Sequence, residues 1–212
     1  MVSDMKKCTL CPRRCAADRT KGPGACGSGA RLRIARAALH YGEEPCISGS
    51  EGSGTVFFSG CSLRCVFCQN RALSQEQFGE EISVRRLAEI FRELEEQGAN
   101  NINLVTPTHY AAQIAEALYI YRPGIPVLYN CGGYESVETL RALEGLVDVW
   151  LPDIKYADPE LARRFSGAED YPERAFQAVE EMLRQCGIPK LNGRGMMERG
   201  VMIRHLVLPL HL

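Results

Sequence analysis

The sequence predicts an α/β fold with a parallel sheet, and three observations carry that prediction. Short apolar runs of strand type recur along the chain, amphipathic helical stretches separate them, and a Gly/Ser-rich turn opens the series. Strands alternating with helices need crossover connections, which are right-handed when the strands are parallel, so the chain reads as a doubly wound sheet or as all or part of an α/β barrel. In either architecture ligands gather at the C-terminal ends of the strands.

The elements follow in order. Residues 1 to about 30 are rich in Cys, Gly and Arg and lack a sustained apolar period, so they need a metal to hold them. We therefore expect a Cys-rich metal-binding segment over 1–46 and the main domain over 47–212. ISGSEGSG (47–54) reads as a turn and TVFFSG (55–60) as the first strand. From Ser83, a helix places Leu87, Ile90, Phe91 and Leu94 on one face, with Ser83 as N-cap and Gly98 closing its C-terminus. NINLVT (101–106) is the second strand, and His109 to Tyr121 is helical, with Ile114, Ala117, Leu118 and Tyr121 on one stripe. RPGIP turns the chain into VLYN (127–130), the third strand, and Ser136 caps a helix reaching Leu143. VDVWL (147–151) is the fourth strand. Pro172 suits the first turn of a helix to about Gln185, with Phe176, Val179 and Leu183 facing inward, and MIRHLVL (202–208) is the fifth strand.

Composition narrows the partners. A chain of 212 residues with 45% apolar and 24% charged residues has room for one main domain with a core. Its formal net charge of −1 gives no positive field to gather nucleic acid or an anionic membrane, so small molecules or proteins are the expected partners. The start shows no apolar leader and no run of about 18 apolar residues occurs, which points to the cytoplasm. Ten cysteines in a reducing compartment exceed what packing requires. They cluster as Cys8, Cys11 and Cys15 with Cys26 nearby, and as Cys61, Cys65 and Cys68; Cys46, Cys131 and Cys186 stand apart as small buried hydrophobes.

CSLRCVFCQN (61–70) follows directly on the first strand. Cys-x3-Cys-x2-Cys offers three thiolates, one fewer than a 4Fe-4S cluster has irons or a closed zinc site has ligands, so one metal position stays open. A zinc knuckle completed by Cys46 or a histidine is the plainer alternative. This spacing, with an aromatic just before its last cysteine, resembles the signature of the radical S-adenosylmethionine (radical SAM) superfamily. The resemblance implies a partial (βα) barrel, a 4Fe-4S cluster whose open iron binds S-adenosylmethionine, and reductive cleavage to a 5′-deoxyadenosyl radical. It places Phe67 near the adenine.

EEPCISG (43–49), GSGTVFFSGC (52–61), NINLVTPTHY (101–110), VDVWLPDIKY (147–156) and IRHLVLP (203–209) extend the likeness to a divergent branch of the pyruvate formate-lyase activating enzyme family. By that resemblance Asp153 and Lys155 contact the cosubstrate, Arg204 reaches its carboxylate, and Asn130 joins the same site. The family's Gly-Gly-Glu is replaced by Thr106-Pro107-Thr108-His109, where Thr106, Thr108 and His109 offer hydrogen bonds, or His109 merely starts the next helix. Relatives continue past the fifth strand whereas this sequence stops at Pro209-Leu210-His211-Leu212, so a truncated barrel with a missing cosubstrate-binding wall is expected. The partners implied are an electron donor such as flavodoxin or ferredoxin and a protein substrate, a glycyl-radical enzyme among the options. Cys8, Cys11, Cys15 and Cys26 suffice for zinc or a second cluster, with zinc the simpler choice. Two rivals remain at this stage: a remnant that keeps its cluster but cannot turn over, and a zinc-stabilised interaction module.

Overall fold

The computed structural model describes residues 5–208; the start at 1–4 and the expected ending at Pro209, Leu210, His211 and Leu212 lie outside the described residues. In chain order, β1 (Leu32–His40) leads through the single-turn helix α1 (Pro45–Ser48) to β2 (Ser53–Phe58). Beyond the cysteine loop come α2 (Arg71–Ser74), β3 (Glu80–Ile82), α3 (Val84–Glu96) and β4 (Ile102–Val105). A 3-10 turn (Thr108–Tyr110) continues into α4 (Ala111–Ile120), followed by β5 (Val127–Cys131), α5 (Val137–Ala142) and β6 (Val149–Ile154). The chain ends its regular structure with α6 (Pro159–Ser166), α7 (Tyr171–Cys186), β7 (Lys190–Leu191), β8 (Met197–Val201) and β9 (Arg204–His205).

The strands lie in the order β3-β1-β2-β4-β5-β6-β8-β7, with β9 added beside the end of β6. β2, β4, β5, β6 and β8 are parallel neighbours, while β1 and β7 join antiparallel. The fold is thus α/β with a mostly parallel sheet, and the C-terminal ends of β2, β4, β5 and β6 open on one edge.

Strand alternation sorts side chains onto two faces. Ile102, Leu104, Tyr129 and Trp150 pack with Leu87, Phe91, Ile114 and Leu118 of α3 and α4 in the larger core. Leu128 and Val149 pack on the opposite face with Ile47 of α1 and Met197. A third cluster joins the cysteine loop to α6 and α7 through Leu63, Tyr134, Tyr156, Ala162 and Tyr171, with Cys61, Cys65 and Phe67 packed against it. No helix among the described residues is long and apolar enough to cross a membrane.

The elements expected on sequence periodicity are present at 83–97, 101–106, 127–130 and 147–151, and four differences have physical causes. β1 has no clean apolar alternation because Arg33, Arg36 and three alanines, weak strand formers, occupy it; its ladder to β2 crosses the expected 46/47 boundary. α6 is signalled by Asp158 before Pro159, and the Asp158 carboxylate accepts the Glu160 and Leu161 N–H groups at 2.7 and 3.0 Å. On α7 the inward face is Tyr171, Ala175, Ala178, Val179, Met182 and Cys186; Phe176 and Leu183 are exposed, because alanines rather than the bulkiest residues meet the sheet. The place beside β6 expected for 202–208 belongs to β8, whose Glu198 and Arg199 face solvent and disguise it as polar; within 202–208 only β9 forms a ladder, and Ile203 and Val207 are exposed.

Caps separate two serines that look alike in sequence. Ser83 Oγ accepts the Arg86 N–H at 3.0 Å, whereas Ser136 makes no cap bond and donates instead to Glu138 Oε2 at 2.6 Å. Ser83→Ala should therefore cost about 1 kcal/mol, and Ser136→Ala less than about 0.5 kcal/mol, read from urea midpoints at constant m-value.

Candidate metal centre

The three thiols of Cys61, Cys65 and Cys68 occupy the loop that leaves β2, on the edge where the parallel strands end. Gly60 turns the chain out of the strand at φ +90°, where a Cβ would collide with Ser28 Oγ and the Cys26 carbonyl. Each sulfur has a hydrogen-bonding neighbour. The Leu63 N–H donates to Cys61 Sγ at 3.4 Å, Ser166 Oγ lies 2.9 Å from Cys65 Sγ, and Ser74 Oγ lies 3.3 Å from Cys68 Sγ. Tyr156 Oη extends the second contact, 2.9 Å from Ser166 Oγ.

Desolvation pushes the Cys61 thiol up to about 12 and also raises Cys65, against the lowering pull of the Ser166 hydroxyl and the Lys155 ammonium. The bare Cys61 and Cys65 thiols are thus held protonated, and metal ligation must release their protons. The donor set fits a 4Fe-4S cluster with one iron left free: three soft sulfurs on one short loop, each with a donor to stabilise the thiolate, and a cation beside them. Phe67 packs edge-on against Tyr156 at 6.3 Å between ring centroids.

Beyond the loop, a charged network closes over the ends of β5 and β6. Lys155 Nζ donates to Asp153 Oδ2 at 2.6 Å, and Arg204 Nε donates to Asp153 Oδ1 at 3.0 Å. Arg204 also donates to Asn130 Oδ1 at 2.5 Å and to Glu43 Oε2 at 3.2 Å, and lies 3.7 Å from Glu44 Oε1. Asp153, Lys155, Asn130 and Arg204, separate in sequence, are therefore brought together. β9 achieves this by pairing Arg204 directly with Asp153 in a parallel ladder. Burial raises the Glu43 carboxyl even though Arg204 opposes it, and Glu44 adds to the rise.

The Thr106–His109 replacement divides among three tasks. Thr106, directly after β4, takes φ +60°, a conformation that favours glycine. Thr108 Oγ1 donates to the buried Glu135 at 2.6 Å. His109 is buried, its Nε2 is 2.8 Å from the Ser59 carbonyl, and its Nδ1 is buried without a partner. Desolvation lowers its pKa to about 3, so the ring is neutral and donates through Nε2. His109 therefore anchors the end of β2 behind the cysteine loop and stands apart from the Asp153 network.

Several residues escaped the sequence reading. Glu43 and Glu44 had a signal in EEPCISG, two carboxylates before a proline, but no period to place them. Ser166 and Tyr171 had none: they act through hydroxyls on helices whose positions only the fold supplies. Tyr171 Oη lies 2.9 Å from the Gly132 carbonyl and 2.7 Å from that of Asp153, and accepts the Lys155 N–H at 3.1 Å, tying β5 to β6 at the site. Gly133, at φ +78°, permits that approach; a Cβ there would lie 2.3 Å from the Asp153 carbonyl oxygen.

In the N-terminal segment Cys8, Cys11 and Cys26 are buried and Cys15 is exposed. Burial pushes the Cys11 thiol up to about 12, and the charges of neighbouring Cys26 and Cys8 add to it. Arg19, buried, pins this segment to the site by donating to the His109 carbonyl at 2.5 Å and the Gly29 carbonyl at 2.6 Å.

Comparisons with known proteins show the family. The family model for the radical SAM superfamily matches residues 55–206. An uncharacterized protein of Methanocaldococcus jannaschii is 32% identical over 219 residues, a match covering 98% of this chain and 58% of that protein. The chain thus spans little more than half the length of the curated relative it matches.

Glu135 yields a pH test. Desolvation raises its carboxyl to about 8, while the Thr108 hydroxyl holds it lower than burial alone would. Between the unfolded value of about 4.3 and about 8 the folded chain keeps a proton that the unfolded chain gives up, so stability falls as pH rises, by up to about 1.4 kcal/mol per unit. Glu135→Gln should flatten that decline between pH 5 and pH 8 in urea unfolding; superimposable profiles would contradict the assignment.

Proposed function

Since the chain belongs to the radical SAM superfamily, we propose that it is an enzyme of the pyruvate formate-lyase activating enzyme-like branch, with a partial (βα) barrel that aims a radical at a bound substrate. The observation that carries this reading is the convergence of the Cys61, Cys65, Cys68 loop with Asp153, Lys155, Asn130 and Arg204 at one edge of the parallel sheet. When bound, a 4Fe-4S cluster on the three thiolates supplies the electron that cleaves S-adenosylmethionine to methionine and a 5′-deoxyadenosyl radical, which takes a hydrogen atom from the substrate.

The chain's own residues have distinct tasks. Cys61, Cys65 and Cys68 hold three irons and leave the fourth for the cosubstrate's amino and carboxylate groups. Lys155 and Arg204 present cations to the carboxylate, and Asp153 holds both in place while offering an acceptor to the amino group. Phe67 supplies an apolar face for the adenine. Thr106 sets the backbone at the end of β4 so that its neighbouring groups reach the cosubstrate. On the sheet face away from α3 and α4, Asn103 is buried with neither amide atom paired, and Glu44 Oε2 is buried without a partner.

The Asp153-Ile154-Lys155 element supports a place beside the glycyl-radical activating enzymes, whose substrate is a glycine Cα–H in a partner protein. A flavodoxin or ferredoxin in a reducing cytoplasm is the matching electron source.

Reconstituted anaerobically with iron and sulfide and reduced with dithionite, the protein should release 5′-deoxyadenosine, and Cys65→Ala should abolish that release. A fully loaded cluster that yields no product would reject the catalytic reading. Arg204→Gln should raise the S-adenosylmethionine concentration needed for half-maximal release at least about tenfold, the size expected for losing a charge-assisted bond.

A further inference from the structure

The N-terminal segment has almost no core of its own. Among its described residues before β1 the buried apolar side chains are Cys8, Leu10, Cys11 and Cys26, too little apolar area to hold a fold without a staple. Its backbone nonetheless closes into tight turns. The Cys8 N–H donates to the Ala17 carbonyl at 3.1 Å, the Ala16 N–H to the Cys8 carbonyl at 3.0 Å, and the Arg14 N–H to the Cys11 carbonyl at 3.0 Å. Arg14 and Ala16 take positive φ of 39° and 52°, strained for side-chain-bearing residues, on either side of Cys15. The sulfurs of Cys15 and Cys26 flank Gly24 so closely that a Cβ there would lie 3.4 and 3.7 Å from them. The Arg19 guanidinium stands 4.0 Å from Cys8 Sγ.

We propose that Cys8, Cys11, Cys15 and Cys26 hold a second 4Fe-4S cluster, fully ligated, that relays electrons to the cluster on Cys61, Cys65 and Cys68. The sulfurs are neighbours: the Cys11 thiol feels the charges of Cys26 and Cys8, and Cys15 and Cys26 approach each other across Gly24. Zinc, which the cysteine spacing alone favoured, is the rival occupant that the metal count below decides.

Position supplies the role. The Cys61 N–H donates to the Cys26 carbonyl at 3.2 Å, so one hydrogen bond joins a ligand of each centre. Four thiolates leave no iron open to substrate, which suits electron transfer rather than binding. In the relay, a low-potential one-electron donor of the flavodoxin or ferredoxin class loses one electron. The N-terminal cluster takes it and is reoxidised as the open cluster is reduced, with no proton moved and no bond broken. The relay rests on the proposed activity; the second cluster itself does not.

The test is a metal count on the full chain, reconstituted anaerobically. Wild type should carry about eight irons with matching sulfide, and the triple variant Cys61→Ala/Cys65→Ala/Cys68→Ala about four, as one 4Fe-4S cluster by Mössbauer spectroscopy. Cys15→Ser, at an exposed position, should lose the other half while keeping the wild-type circular dichroism. A folded triple variant without iron, one bound zinc per chain, or an undiminished count in Cys15→Ser would overturn the second cluster. For the relay, stopped-flow reduction of the remaining cluster in Cys15→Ser by reduced flavodoxin should slow at least tenfold while reduction by dithionite is unchanged. Equal slowing or none with both reductants would overturn the relay.

Discussion

Everything at this centre depends on how a loop with no hydrogen-bonding ladder of its own is held in one shape. The end of α6 does this. A helix leaves its last carbonyls without intrahelical donors, and here the cysteine loop supplies them: the Arg64 N–H donates to the Ser166 carbonyl at 3.1 Å and the Val66 N–H to the Phe165 carbonyl at 2.9 Å. Arg13 fastens the other side, its Nε donating to the Ser62 carbonyl at 2.8 Å. The loop is thereby fixed from both the N-terminal segment and α6, while the Ser166 side chain meets the Cys65 sulfur. Two deficits, the orphan carbonyls of a helix and the unpaired amides of a loop, are satisfied by one contact.

The same economy governs the charges. Asp153, Lys155, Arg204, Glu43 and Glu44 would repel or desolvate one another at a loss if buried singly. Gathered at the ends of β5 and β6, they offset each other: Arg204 remains charged because Asp153 and the two glutamates outweigh the desolvation of its guanidinium. Each member is held in orientation by at least one opposite charge, so the ends of β5 and β6 carry a prepared charged edge. Thr106 shows the opposite side of such preparation. Its left-handed backbone costs on the order of 1–3 kcal/mol, which the surrounding ladders of β2, β4 and β5 must sustain.

Much of this was legible in the residues. Cys-x3-Cys-x2-Cys marked a loop at the end of a strand, where the structure has it, and the helix face of Leu87, Ile90, Phe91 and Leu94 was readable because its apolar period matches 3.6. What resisted reading shares one cause: periodicity reports which side chains are apolar, not which backbone they reach. β1 hides behind arginines and alanines, β8 behind its exposed Glu198 and Arg199, and α7 turns its alanines rather than Phe176 toward the sheet. Glu43, Ser166 and Tyr171 act on partners 161, 101 and 18 residues away respectively, contacts that no local pattern encodes.

The central claim is that the loop leaves one iron open and that the neighbouring charges bring S-adenosylmethionine to it. Electron paramagnetic resonance of the reduced, fully loaded protein, titrated with S-adenosylmethionine, addresses both halves at once. The account predicts a saturable change in the spectrum of the cluster on Cys61, Cys65 and Cys68. A spectrum that stays the same at millimolar cosubstrate would contradict it.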